Sequence, residues 1–189
     1  MTTDKARHRE RFEDVARSAP HWLMTATELR MSAELVGERF AEAVGNWLKG
    51  REPGQYVHVG SVFLMLAGFA IEALLKGIMI ADNPSTVSDG RLPKWLLTHE
   101  LAGLMKRAEV PLTEDEAELI RRLAEAVQWR GRYPVPRHAE ALPDSHSVGI
   151  SDVDSFRELY DRLETKLSRT MGYVGGPLGD PGSEPPRSG

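Results

Sequence analysis

The sequence predicts an all-α protein, an antiparallel bundle of four to five main helices. Three observations predict it. Apolar residues recur at three- and four-residue steps in several long segments, the sign of one buried face per helix. No segment of useful length alternates apolar and polar residues with the two-residue period of a strand. The chain has 189 residues, 41% of them hydrophobic, which suits one core with tails.

Residues 4–17 are strongly charged and offer only Phe12, Val15 and small residues for burial, so a frayed or docked short helix is expected. Ser18-Ala19-Pro20 resembles a helix start, with proline tolerated in the first turn. Trp22, Leu29, Ala33, Val36, Phe40, Ala43, Val44 and Trp47 then form one apolar stripe, ending near Gly50 to Gly54. The next helix, about 57–81, is apolar on all faces and is expected at the centre of the bundle. Its run from Val59 to Ile71 falls short of the roughly 20 apolar residues of a membrane span. Asn83-Pro84-Ser85 stops that helix, and a polar loop follows through Asp89-Gly90.

The segment from His99 to Ala108 places Leu101, Leu104 and Met105 on one face, with His99 capping or packing at its start. Thr113-Glu114-Asp115-Glu116 is a capping box opening a helix with Ala117, Ile120, Leu123, Ala124 and Val127 inside, expected to run to about 129. Ser151-Asp152-Val153-Asp154 reads as another N-cap, before a last helix with Phe156, Leu159, Tyr160, Leu163 and Leu167 at helical spacing. The organisation is thus a charged segment at 1–17, a bundle at 18–171 and a Gly/Pro-rich tail at 172–189, too poor in apolar residues to order itself.

The segment Trp129-Arg130-Gly131-Arg132-Tyr133-Pro134-Val135-Pro136-Arg137-His138 is out of character for a chain of net charge -4. Arg121 and Arg122 lie just upstream, and Glu125 is the only acid from Arg121 to Arg137. Guanidinium groups bind phosphate bidentately and imidazole titrates near neutral pH, so the segment points to phosphate or RNA. Glu72 and Lys76 form an i, i+4 pair in the favourable order, expected to be structural, with Arg130 or Arg132 as a further partner for Glu72. The six histidines are scattered and cysteine is absent, so no metal site, disulfide or cofactor is expected. The charged N-terminus lacks the apolar region of a signal peptide, and a cytoplasmic setting away from any membrane is expected. Trp22, Trp47, Trp95 and Trp129 read as core or interface aromatics.

Three stretches together resemble the HEPN superfamily of helical bundles. They are Phe69-Ala70-Ile71-Glu72-Ala73-Leu74-Leu75-Lys76, Leu97-Thr98-His99-Glu100-Leu101-Ala102-Gly103-Leu104 and Trp129-Arg130-Gly131-Arg132-Tyr133-Pro134, within about 41–167. Many members of that superfamily are metal-independent ribonucleases, in toxin–antitoxin, phage-defence or RNA-processing roles. Their signature is an arginine and a histidine four to six residues apart, which Arg132 and His138 match. The resemblance implies a histidine working on the ribose 2′-OH or the leaving oxygen, and an arginine holding the scissile phosphate. It implies Arg130, Arg137, Arg121 and Arg122 as RNA or phosphate contacts, and a homodimer. It also implies RNA, a nucleotide, an antitoxin or a nucleotidyltransferase as partner. The sequence departs from the nuclease pattern where Pro134 and Pro136 exclude regular helix between Arg132 and His138. Arg-Tyr-Pro also occurs in branches that serve as binding or partner modules. Two classes therefore stand: an RNA-handling protein, and a noncatalytic dimeric interaction module.

Overall fold

The structure is a computed structural model, and it describes residues 2–52, 54–142 and 148–173. The tail expected at 172–189 lies outside the described residues from 174 onward. Six α-helices follow in order: α1 (Thr2–Ala16), α2 (Ala19–Leu48), α3 (Gly60–Asp82), α4 (Leu101–Arg107), α5 (Glu114–Glu125) and α6 (Ser151–Thr170). Among the described residues the one β-type pairing is an isolated bridge between Ser88 and Arg91.

The apolar all-round character of α3 puts it in the centre, packed by α2, α4, α5 and α6. Small residues set how closely those neighbours approach. A Cβ on Gly37 of α2 would stand 2.9 Å from the Phe63 ring, and one on Gly68 of α3 would stand 2.5 Å from Val127. These contacts also fix direction. Gly60 faces Phe40 and Gly77 faces Trp22, so α2 and α3 are antiparallel. The ion pairs Glu116–Arg162 and Arg122–Asp152 make α5 and α6 antiparallel too. Phe156, Leu159, Tyr160, Leu163 and Leu167 of α6 are all buried, as their spacing requires. Each such side chain contributes roughly 1.5–3 kcal/mol of burial.

By length and composition α3 could cross a membrane: an 18-residue window within it has mean hydropathy 2.0, and 78% of that window is buried inside the fold. The central helix expected at about 57–81 forms. It continues past Glu72 and Lys76 to Asp82 as one helix. A short 3-10 turn, Gln55–Val59, leads into it in place of the helical start expected near Val57. Pro84 ends it, and Asn83 before it has left the helical region, at φ −143° and ψ 84°.

Several local expectations need correction. Trp47 does not join the buried stripe of α2 and is 62% exposed. Of the two roles expected for His99 at the start of α4 it packs, against Phe69, and does not cap; the Glu100 carboxylate caps, accepting from the Gly103 N–H at 2.7 Å. The capping box of α5 forms, with Thr113 N–H donating to Glu116 at 2.9 Å and Glu116 N–H to Thr113 at 3.3 Å. However, α5 ends at Glu125 and passes into a π-helical turn, Ala126–Arg130. At α6 no side chain caps the helix start; Asp152 instead accepts from the Gly149 N–H at 2.9 Å and pairs with Arg122.

The charged N-terminal segment is a docked helix. Ala16 joins Ile80, Val87 and Leu96 in a small satellite core beneath Trp22, Leu92 and Trp95. Arg17 donates twice to the Val87 carbonyl, at 3.0 and 2.8 Å. Glu13 accepts from the Gly90 N–H at 2.7 Å and pairs with Arg9 and Arg17. The Gly90 hydrogen bond, followed by the Arg9 bond, holds the Glu13 carboxyl below the usual glutamate range. A depressed carboxyl stabilises the folded form above the ordinary glutamate value and loses that contribution as pH falls through the depressed one. Protection of α1 against hydrogen exchange should therefore fall relative to that of α3 as pH drops below the ordinary glutamate value, and Glu13→Gln should make that fall smaller.

Candidate functional site

The arginine segment leaves α5 through its π turn. The extra residue in that turn carries Trp129 into the core, where it is 9% exposed. Trp129 in turn accepts the Arg132 and Tyr133 N–H groups on its carbonyl, at 2.9 and 2.7 Å. Gly131 sits against α3: a Cβ there would stand 2.5 Å from Cβ of Met65, so only glycine permits this approach. Arg132 donates from one terminal nitrogen to the carbonyls of Val127 and Gln128, at 2.8 and 3.1 Å, and its guanidinium lies 5.6 Å from the Tyr133 ring centre. The side chain thus closes the end of its own helix while staying exposed.

The structure separates the predicted residues. Arg121 is engaged by Glu118 and Glu125, and Arg122 by Glu118 and Asp152, so neither is a free phosphate contact. The Glu118 hydrogen bond leads the causes that raise the Arg121 pKa. Arg130 is half-buried; burial lowers its pKa, with Glu125 opposing. Arg137 and His138 are exposed, His138 preceding the 3-10 turn Ala139–Ala141. Among the described residues no hydrogen bond, ion pair or ring contact joins Arg132 to His138. The expected pairing of Glu72 with Arg130 or Arg132 is not formed either.

Glu72 has other partners. Its Oε1 accepts from Lys76 Nζ at 2.6 Å, the i, i+4 pair expected from the sequence, and both residues are 6% exposed. Its two oxygens also lie 3.1 and 2.9 Å from Nδ1 of His99. The imidazole packs edge-on to Phe69, with ring centres 5.9 Å apart, and its side chain is 55% exposed. Sequence reasoning left His99 as a helix-start residue; the signal that links it to Glu72 is a fold contact, 27 positions apart, with no periodicity to announce it.

One end of the bundle collects a distinct set of groups. Gly60 meets Phe40 and Val148, and Gly131 meets Met65, so the ends of α2 and α5 and the starts of α3 and α6 converge there. Trp47, Tyr56 and Tyr133 are exposed at that end. Lys49 and Arg51 follow the end of α2, Arg130 and Arg132 lie at the end of α5 and Arg137 comes five residues later in the chain, and none has an ion pair among the described residues. Among the described residues no group of three or more His, Asp or Glu side chains is placed to hold a metal ion. No family model, curated protein or solved structure matches this chain.

The buried pair generates a stability prediction. Glu72→Ala leaves Lys76 charged and without its carboxylate inside the bundle, and should cost about 3–5 kcal/mol. A thermal melt reads this directly; an unchanged midpoint would contradict the burial of the pair.

Proposed function

We propose that the chain is a HEPN-like RNA-binding protein of the cytoplasm that docks single-stranded RNA on the basic, aromatic end of its bundle. One observation carries the reading: Arg130, Arg132 and Arg137 follow one another at the end of α5 with no ion pair among the described residues, whereas Arg121 and Arg122 just upstream are held by Glu118, Glu125 and Asp152. Guanidinium groups without carboxylates are available to phosphate. The exposed rings of Trp47, Tyr56 and Tyr133 add flat surfaces on which unpaired bases stack, a contact that paired bases within a duplex do not offer. A role in a toxin–antitoxin or phage-defence system belongs to this proposal through the HEPN resemblance.

The measurement is fluorescence anisotropy with a labelled RNA oligonucleotide over a salt series. Three phosphate contacts on a single strand give a slope of log affinity against log salt of about −2. Arg130→Ala with Arg137→Ala should weaken binding and make that slope shallower by roughly 1.4. Affinity independent of salt, or absence of binding, contradicts the reading.

A second reading, the noncatalytic dimeric module partnered by its own copy or by a protein such as an antitoxin or nucleotidyltransferase, is favoured by a different face. Met24, Met31 and Leu35 recur along one side of α2 and are each more than half exposed. Light scattering should give twice the chain mass if that face pairs two copies, and Met31→Glu with Leu35→Glu should then return the monomer. A monomer mass for the unaltered chain removes the homodimer.

A further inference from the structure

We infer that His99, oriented by Glu72, is the proton-transfer group of an RNA-cleaving site, and that the imidazole of His138 is not; this rests on the RNA-binding reading above. The ground is the geometry of the dyad. Both Glu72 oxygens face Nδ1 of His99, at 2.9 and 3.1 Å, so a carboxylate fixes the proton on Nδ1 and leaves Nε2 as the basic nitrogen. A hydrogen-bonded carboxylate that sets the tautomer and orientation of an imidazole is the arrangement general-base catalysis uses. The anchor itself is rigid, because Glu72 is buried and held by Lys76 at 2.6 Å. The imidazole is not: its side chain is 55% exposed and can meet a substrate. His138 has none of this, its imidazole being exposed with no side-chain hydrogen bond among the described residues.

Placement brings the dyad and the arginines onto one strip of α3. Ser61, Val62, Met65, Leu66 and Phe69 are the partly open residues of that helix's first half. Gly131, between Arg130 and Arg132, rests on Met65. His99 rests on Phe69 and Glu72. Met65 and Glu72 are seven residues apart on one helix, a rise of about 10 Å. The arginine segment and the imidazole therefore border the two ends of a shallow apolar strip short enough for one strand of RNA to touch both.

The chemistry needs no nucleophilic side chain. Nε2 of His99 takes the proton of the ribose 2′-OH, the 2′ oxygen forms a bond to phosphorus, and the bond from phosphorus to the 5′ oxygen breaks. The departing oxygen takes a proton from water, and the imidazolium neutralises the hydroxide so formed. The products are a 2′,3′-cyclic phosphate and a 5′-hydroxyl, and an arginine of the segment balances the developing charge on the phosphate. Glu72 is a positioning residue in this scheme.

The experiment compares the unaltered chain with His99→Gln, His138→Ala and Glu72→Gln in chelator, using a labelled single-stranded RNA. Cleavage is read by gel and binding by anisotropy. His99→Gln should lower the cleavage rate at least about 100-fold while RNA affinity and the circular-dichroism melt stay close to those of the unaltered chain. Glu72→Gln, compared at a temperature where its melt shows it fully folded, should lower kcat with RNA affinity little changed, which separates lost positioning from a lost folded fraction. Cleavage that survives His99→Gln, or that is lost in His138→Ala instead, overturns the inference. RNA bound by the unaltered chain but never cut overturns it while leaving the binding reading intact. No RNA binding at all overturns both.

Discussion

From Ala70 to Ile78 every residue of α3 is buried, yet the helix carries two charges there. Glu72 and Lys76 are both buried, and each is tolerated because the other stands one turn away at 2.6 Å. The rest of the bundle is organised around that pair. The apolar run of α3 can continue through it without a break, which gives α2, α5 and α6 one long surface to pack on. The carboxylate has hydrogen-bonding capacity left over, and His99 takes it. The approach to α4 is thereby tied to the central helix by a polar contact and by the edge of Phe69.

Glycine does the complementary work of letting helices come close. Gly68 accepts Val127 and the Leu123 backbone, Gly77 accepts Trp22 and Leu167, and Gly131 accepts Met65. The last of these has a chemical effect as well as a packing one. With Trp129 inside and Gly131 pressed on α3, the intervening and following residues have little choice but to face outward. Arg130 remains half-buried and Arg132 turns back to the carbonyls of Val127 and Gln128. The basic character of that corner is thus a by-product of how the end of α5 is anchored.

What was legible in the sequence was whatever a few neighbouring residues decide. The capping box at Thr113 and Glu116, the proline stop at Pro84 and the Glu72–Lys76 pair are set within four positions, and all three form. The apolar spacing of α6 was enough to name its buried residues. Contacts that join distant segments were not legible. Nothing local marks His99 as a partner for Glu72, or Asp152 as a partner for Arg122. Counting acids from Arg121 onward also missed Glu118, which lies one turn upstream on the same helix face and engages both arginines. The π turn after Glu125 depends on where α3 meets Trp129 and Gly131, and α5 alone carries no sign of it.

The uneven pairing of arginines shapes how the molecule would be approached from a distance. With a net charge of -4, the chain as a whole repels a polyanion. Cations such as Arg122 and Arg162 are neutralised where they stand and contribute little beyond a few ångströms, whereas the set around Arg130 and Arg137 projects a field of the opposite sign from one end. Such a distribution acts as a dipole. It turns the protein during diffusion so that a negatively charged strand meets the attractive pole first. Orientation would be selected before contact, and salt, by shortening the Debye length to about 8 Å at physiological strength, would slow the encounter itself.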